Sequence, residues 1–154
     1  MSTEAGITIR GINETCAALT ALPRALATQL YFEALRAAIE PVFAALLSAT
    51  PEQPANESGG MFDDPGGLRA ALDYAIQLDS QGRGGRAGLG YGKYSAIARL
   101  VEFGHQMVTH KGVLVGSVAS KGFARRTFDG PVMLEAVEKF AQVIVARLES
   151  LRLI

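Results

Sequence analysis

Two stretches of this chain repeat their apolar residues at helical spacing, one in its first third and one at its end, with a glycine-rich centre between them. From Pro23 to Ala49, Phe32, Leu35, Ile39, Val42 and Leu46 recur at steps of three and four, while Gln29, Glu33, Arg36 and Glu40 form a polar stripe. A single apolar stripe on the helical period specifies a helix with one buried face. Pro23 suits the first turn, where the N–H that proline lacks would have no partner anyway. Glu33–Arg36 and Arg36–Glu40 are spaced for weak ion pairs. Pro41 lies inside the pattern, so a kink or break is expected near residues 37–41. In the closing stretch Leu134, Ala141 and Leu148 stand seven apart, as do Val137, Ile144 and Leu151. Phe140, Val143 and Val145 widen that apolar face beyond a narrow seam. Pro131 is placed to open this helix, with Asp129 or Gly130 as its cap.

Between these helices the pattern changes. Residues 7–11, "ITIRG", read as a short strand closed by Gly11, and Asn13 can cap a helical turn running toward Leu22. Residues 50–66 form a Pro- and Gly-rich loop, and "LRAAL" adds a helical turn. In "DYAIQLDS" Tyr74, Ile76 and Leu78 alternate with Asp73, Gln77 and Asp79, as in a strand with one wet face. "QGRGGRAGLGYGK" holds six of the chain's 17 glycines and reads as a mobile hairpin tip carrying Arg83 and Arg86. "YSAIARLVEFG" is a short helix with Ile97, Leu100 and Val101 on one side and Gly104 as its stop. Residues 104–126 read as a non-helical arm, with strand at Val113–Val115 and Val118 and an exposed basic part at Lys121–Arg126. The expected fold class is α+β: two long amphipathic helices packed on a small, mainly antiparallel sheet, with long extended loops and an arm.

Composition narrows the function classes. A chain of 154 residues with 49% apolar residues is one domain with a sizeable core. Its 15 lysines and arginines balance 15 aspartates and glutamates. A global positive field is therefore lacking, which argues against a protein whose main task is gripping nucleic-acid phosphates. The single cysteine, Cys16, excludes an internal disulfide and is expected to be a buried small hydrophobe. The N-terminus lacks the basic start and apolar run of a signal peptide, and no stretch spans a membrane, so a protein made and kept soluble in a cytoplasm is expected.

Three constellations bear on chemistry. Glu102 and His105 have Glu-x-x-His spacing, and His110 follows. A di-metal carboxylate site needs two such pairs and further glutamates on long helices, and here Gly104 ends the helix inside the one pair. The favoured reading is solvent-exposed or capping histidines around a turn; a metal-dependent enzyme using the three residues is the alternative from another class. Gly82-Arg-Gly84-Gly-Arg-Ala87 fits the letters of a dinucleotide fingerprint. That fingerprint requires a helix to start at once, and Gly88, Gly90 and Gly92 would melt it at about 1 kcal/mol each. No G-x-S-x-G occurs, and Asp63–Asp64 sit in a loop as solvated carboxylates. No catalytic set, metal or cofactor is expected.

Residues 50–66, 81–93 and 104–126 make three long segments that do not pack on a compact core, and such segments are uncommon unless they bind something. Val113–Val115 are suited to adding a strand to a partner's sheet, and Phe123 and Phe128 to anchoring an arm in a neighbour's pocket.

The order of these features across nearly the whole chain resembles the tail-completion (head–tail joining, or neck) protein family of long-tailed double-stranded DNA bacteriophages. The most specific pieces are Ala98-Arg-Leu-Val-Glu102-Phe103-Gly104-His105 and Phe123-x-Arg125-x-x-Phe128-Asp129. In the family the second piece commonly reads Pro-Phe-hydrophobe-Arg-Pro-Ala; here Gly122 replaces the first proline and Arg126-Thr127 replace Pro-Ala, implying a less rigid arm. The resemblance implies a virion structural protein and not an enzyme. It would form a ring, usually sixfold, at the neck or tail top, joined to a head-closure (connector) ring and to tail-tube or terminator proteins. DNA would pass through its channel without sequence-specific binding, which near-neutral charge suits. A tail terminator capping the tail tube is the alternative within this class. The residues expected at interfaces are Arg83, Arg86, Glu102, Phe103, Gly104, His105, Val113, Val115, Phe123, Arg125, Arg126 and Phe128. Phe103→Ala or a bulky side chain at Gly104 is expected to damage assembly, and His110→Ala to be nearly silent.

Overall fold

The computed structural model describes residues 12–52, 67–108 and 111–153. The expected strand at 7–11, most of the 50–66 loop and His110 lie outside the described residues. The chain is α+β, as its patterning implies. Helices α1 (Ile12–Ala21) and α2 (Arg24–Ala49) are followed by one turn, α3 (Gly67–Ala70), and the hairpin β1 (Asp73–Leu78) and β2 (Gly85–Gly90). A 3₁₀ turn (Gly92–Tyr94) leads into α4 (Ser95–Phe103), a second hairpin β3 (His105–Val108) and β4 (Leu114–Val118), then α5 (Phe123–Phe128) and α6 (Val132–Ser150). Both hairpins are antiparallel, and they form two separate two-stranded sheets.

The two long helices pack most extensively on each other, with α1 beside them. Their interface is one core: Ala18, Leu22, Ala27, Leu30 and Ala34 against Ile144 and Leu148. Small residues at Ala27 and Ala34 let the helices approach closely, and each methylene buried there stabilises by about 0.8 kcal/mol. A second core gathers Leu46, Leu72, Tyr91, Ala98 and Phe123 from the far end of α2, the central segments and α5.

Four expectations change. The helix does not break at Pro41: α2 runs 26 residues through it. Ile39, Val42 and Leu46 are buried on either side of the proline, and their packing outweighs the roughly 3 kcal/mol cost of a mid-helix proline. The glycine segment is not a loose tip, because residues 85–90 pair along the whole of β1. Its turn is held by Asp79, whose carboxylate accepts the N–H groups of Gln81 and Arg83, both at 3.0 Å. Glycine has a use there: a Cβ on Gly85 would lie 2.7 Å from the Gln77 carbonyl and 3.0 Å from Leu35 of α2. Residues 104–126 are not an extended arm but a hairpin followed by a helix, and Arg125 and Arg126 lie in that helix. Cys16 is exposed rather than buried, since α1 turns Ala18 and Leu22 inward instead. A maleimide is therefore expected to label Cys16 without denaturant; labelling only after unfolding would contradict this placement.

Candidate assembly surface

The region quoted above for its Glu-x-x-His spacing is organised by Glu102. This residue lies one turn after Ala98 on the buried face of α4. Its carboxylate oxygens accept the backbone N–H groups of Ala124 and Arg125 at 2.9 and 3.0 Å. Those donors belong to the first turn of α5, where a helix supplies no internal acceptor. The Glu102 carbonyl accepts the Ser120 hydroxyl and the Gly122 N–H, while the Val101 carbonyl accepts the Lys121 N–H. The chain returning from the β3–β4 hairpin is thus pinned to the end of α4. A buried carboxylate is tolerable because both oxygens are satisfied by N–H donors. Glu102→Ala is expected to cost about 2 kcal/mol, with Glu102→Gln recovering part of it. Urea-unfolding midpoints check this, and an unchanged midpoint for the alanine variant would contradict it.

Beside this cap, Phe123 closes the second core. Its ring meets Tyr91 edge-on, with centroids 6.1 Å apart. The Tyr91 hydroxyl is hydrogen-bonded with Thr50 at 2.8 Å. Burial pushes the Tyr91 phenol above its ordinary range; the Thr50 hydrogen bond opposes this, and the negative charge of Glu102 adds to it. The folded chain therefore keeps this proton where the unfolded chain loses it. The associated stability is fully present below the unfolded value of about 10 and is lost as pH rises through the higher folded value. Between about pH 9 and 11, unfolding midpoints are expected to fall less steeply in Tyr91→Phe than in the parent, and parallel declines would count against this.

Outside the cap the surface is apolar and cationic. Arg99, Phe103 and Arg125 border an open cleft of about 630 Å³ floored by Ala98 and Phe123. Phe103 is 72% exposed, while Phe123 is 1% exposed. Phe123 is therefore no arm anchor for a neighbour; it fills its own chain's core. Leu100, expected inward, is also exposed, because α4 buries Ala98 and Glu102 instead. Gly104 then turns the chain at φ 72° into β3. The hairpin pairs His105 with Val118 and Gln106 with Ser117, and its register shifts between Met107 and Val108. Neither strand packs extensively on another element. Val113, Leu114 and Val115 are all exposed along it. His105 has a buried Nδ1 with no hydrogen-bond partner among the described residues. Among the described residues, no three His, Cys, Asp or Glu side chains are grouped to hold a metal.

The remaining expected positions divide. Arg83 reaches the Leu22 carbonyl at 3.5 Å, and Arg86 holds Gln77 at 2.6 and 3.0 Å. Both belong to the β1–β2 hairpin and are tied within the chain. Arg125 pairs with Asp129 at 3.3 Å on the surface, and Arg126 is exposed. Phe128 is half-exposed and lines a different apolar groove, between α2, β2 and α6. The structure thus gathers Glu102, Phe103, Phe123 and Arg125, and it separates them from Arg83, Arg86 and Phe128.

Three exposed apolar residues lie outside the expected interface set: Leu114, 58% exposed, and Leu134 and Val137, which the helical pattern puts on the apolar face of α6 but which are 64% and 62% exposed. Their signal was present in the breadth of the α6 apolar face, which exceeds what one packing partner covers. Among the described residues, no helix is long and apolar enough to cross a membrane. Compared with protein-family models, curated proteins and solved structures, the chain matches none.

Proposed function

We propose that the chain is a structural subunit of a long-tailed double-stranded DNA bacteriophage or prophage, assembling into a ring at the neck or tail top that joins the tail to the head around the DNA channel. The observation that carries assembly is the β3–β4 hairpin, which exposes Val113, Leu114 and Val115 and packs chiefly against itself. Exposed contiguous apolar surface of this kind marks interaction sites. The phage assignment rests on the resemblance of Ala98–His105 and Phe123–Asp129 to the neck family. The role is architectural: the Glu102 cap holds the base of the hairpin rigid, and the ring presents it to neighbouring copies and adjoining rings. Loss of the chain from a phage genome that encodes it is expected to leave filled heads and finished tails unjoined. Normally joined, infectious particles in its absence would refute the reading.

A further inference from the structure

Two helices carry an apolar stripe on a side that their own chain leaves bare. On α4, Ala96, Arg99, Leu100 and Phe103 stand at offsets of three, four and seven, and all four are exposed. On α6, Leu134, Val137, Glu138 and Ala141 repeat the same spacing, and all four are exposed. Residues at i, i+3, i+4 and i+7 lie along one face of a helix. Each stripe is therefore a continuous apolar strip with a single charge at its middle, positive on α4 and negative on α6.

Neither charge is used within the chain. Arg99 and Glu138 have no ion pair among the described residues. Glu102, the carboxylate of α4, is turned inward and holds the α5 cap with both oxygens. On α6, Lys139 stands about 100° around the helix from Glu138, and it pairs with Glu135 at 3.2 Å. The two helices do not pack extensively on each other.

We propose that the α6 stripe of a second copy lies along the α4 stripe, with Glu138 against Arg99 and the flanking apolar residues in contact. The inference rests on the ring reading and specifies a contact between neighbours, apart from the β3–β4 hairpin. Complementarity supports it: two apolar strips carry opposite, unpaired charges at their centres. Ala96 and Ala141 let the helices come within the usual roughly 8–10 Å of each other. Arg99 and Phe103 also border the cleft floored by Ala98 and Phe123, so a helix laid along α4 covers that apolar floor as well. An aromatic and an arginine among aliphatic residues, without lysine, is the make-up of protein interface cores, whereas phosphate contacts need no aliphatic neighbours. The stripes are different surfaces, so the contact is head-to-tail, and repetition closes a ring when the rotation per copy allows.

Sedimentation velocity of the full chain over a concentration series tests the contact, with Arg99→Glu, Glu138→Arg, the double reversal and Leu134→Asp. All three side chains are exposed, and helical circular dichroism verifies folding. Leu134→Asp is expected to weaken association at least about tenfold. Each single reversal should weaken it at least about fivefold, with the double reversal returning to within about twofold of the parent. Single reversals without recovery in the double would overturn the inference. A parent that associates while all four variants associate equally would also overturn it and leave the ring reading standing. A short DNA duplex is expected not to sediment with the parent; co-sedimentation lost in Arg99→Glu would assign the α4 stripe to DNA and overturn the inference. A parent that stays monomeric throughout would overturn both inference and ring reading.

Discussion

Gly104→Ala is expected to destabilise the folded chain by about 3 kcal/mol or more, because its φ of 72° and ψ of 168° lie where only glycine is unstrained. Space adds to the cost. A Cβ there would sit 2.5 Å from the Val118 carbonyl oxygen and 2.7 Å from the Ser120 nitrogen. Both are backbone atoms of the segment returning from β4 beside Glu102, so neither can swing aside as a side chain would. For a chain of this length the melting temperature should fall by about 10 °C. The hairpin base should open first, so amides near Val118 and Ser120 should exchange faster with solvent than those of α2. A melting temperature within about 2 °C of the parent would show that the turn relaxes freely.

Phe123→Ala is expected to cost about 3–5 kcal/mol, the usual range for emptying a fully buried aromatic site. Phe123 is among the largest fully buried side chains described, and it packs with Tyr91, Ala98, Leu72 and Leu46. Its loss removes the ring under Tyr91 and the contact that seats α5 on the Glu102 cap. The effect should appear in dilute, unassembled protein. An effect confined to assembly would restore the picture of Phe123 as an anchor reaching into a neighbour. Phe103→Ala provides the contrast: at 72% exposure it should leave the unfolding midpoint nearly unchanged, within about 0.5 kcal/mol, while weakening association.

These two neighbouring aromatics show where sequence reading succeeds and where it stops. The long helices were legible because their apolar residues keep a helical period over several turns, and period is a local property. β1 was legible for the same reason, through the alternation of Tyr74, Ile76 and Leu78. The stop at Gly104 was legible too, since a glycine after an apolar helix marks its end. Continuity through Pro41 was not, because it depends on burial by partners distant in sequence. Nor was β2: its glycines signal flexibility locally, and only pairing with β1 and the approach of α2 make the one at Gly85 a requirement. α5 is six residues long, too short to show a period, and its start is capped by a carboxylate 21 positions before Phe123. Without that cap in view, Lys121–Arg126 reads as an arm and Glu102 as half of a metal motif. Glu102, Phe103 and Gly104 do stand together at the end of α4, but the cap made by Glu102 and the turn made by Gly104 are roles that only the tertiary contacts assign.

Native mass spectrometry of the intact chain, across a range of protein concentrations, tests the ring most directly. The expected result is a closed species of six copies, about 98 kDa as six times the 16.3 kDa chain, reached without a continuing series of larger species. A single species at the mass of one chain at every concentration would contradict it.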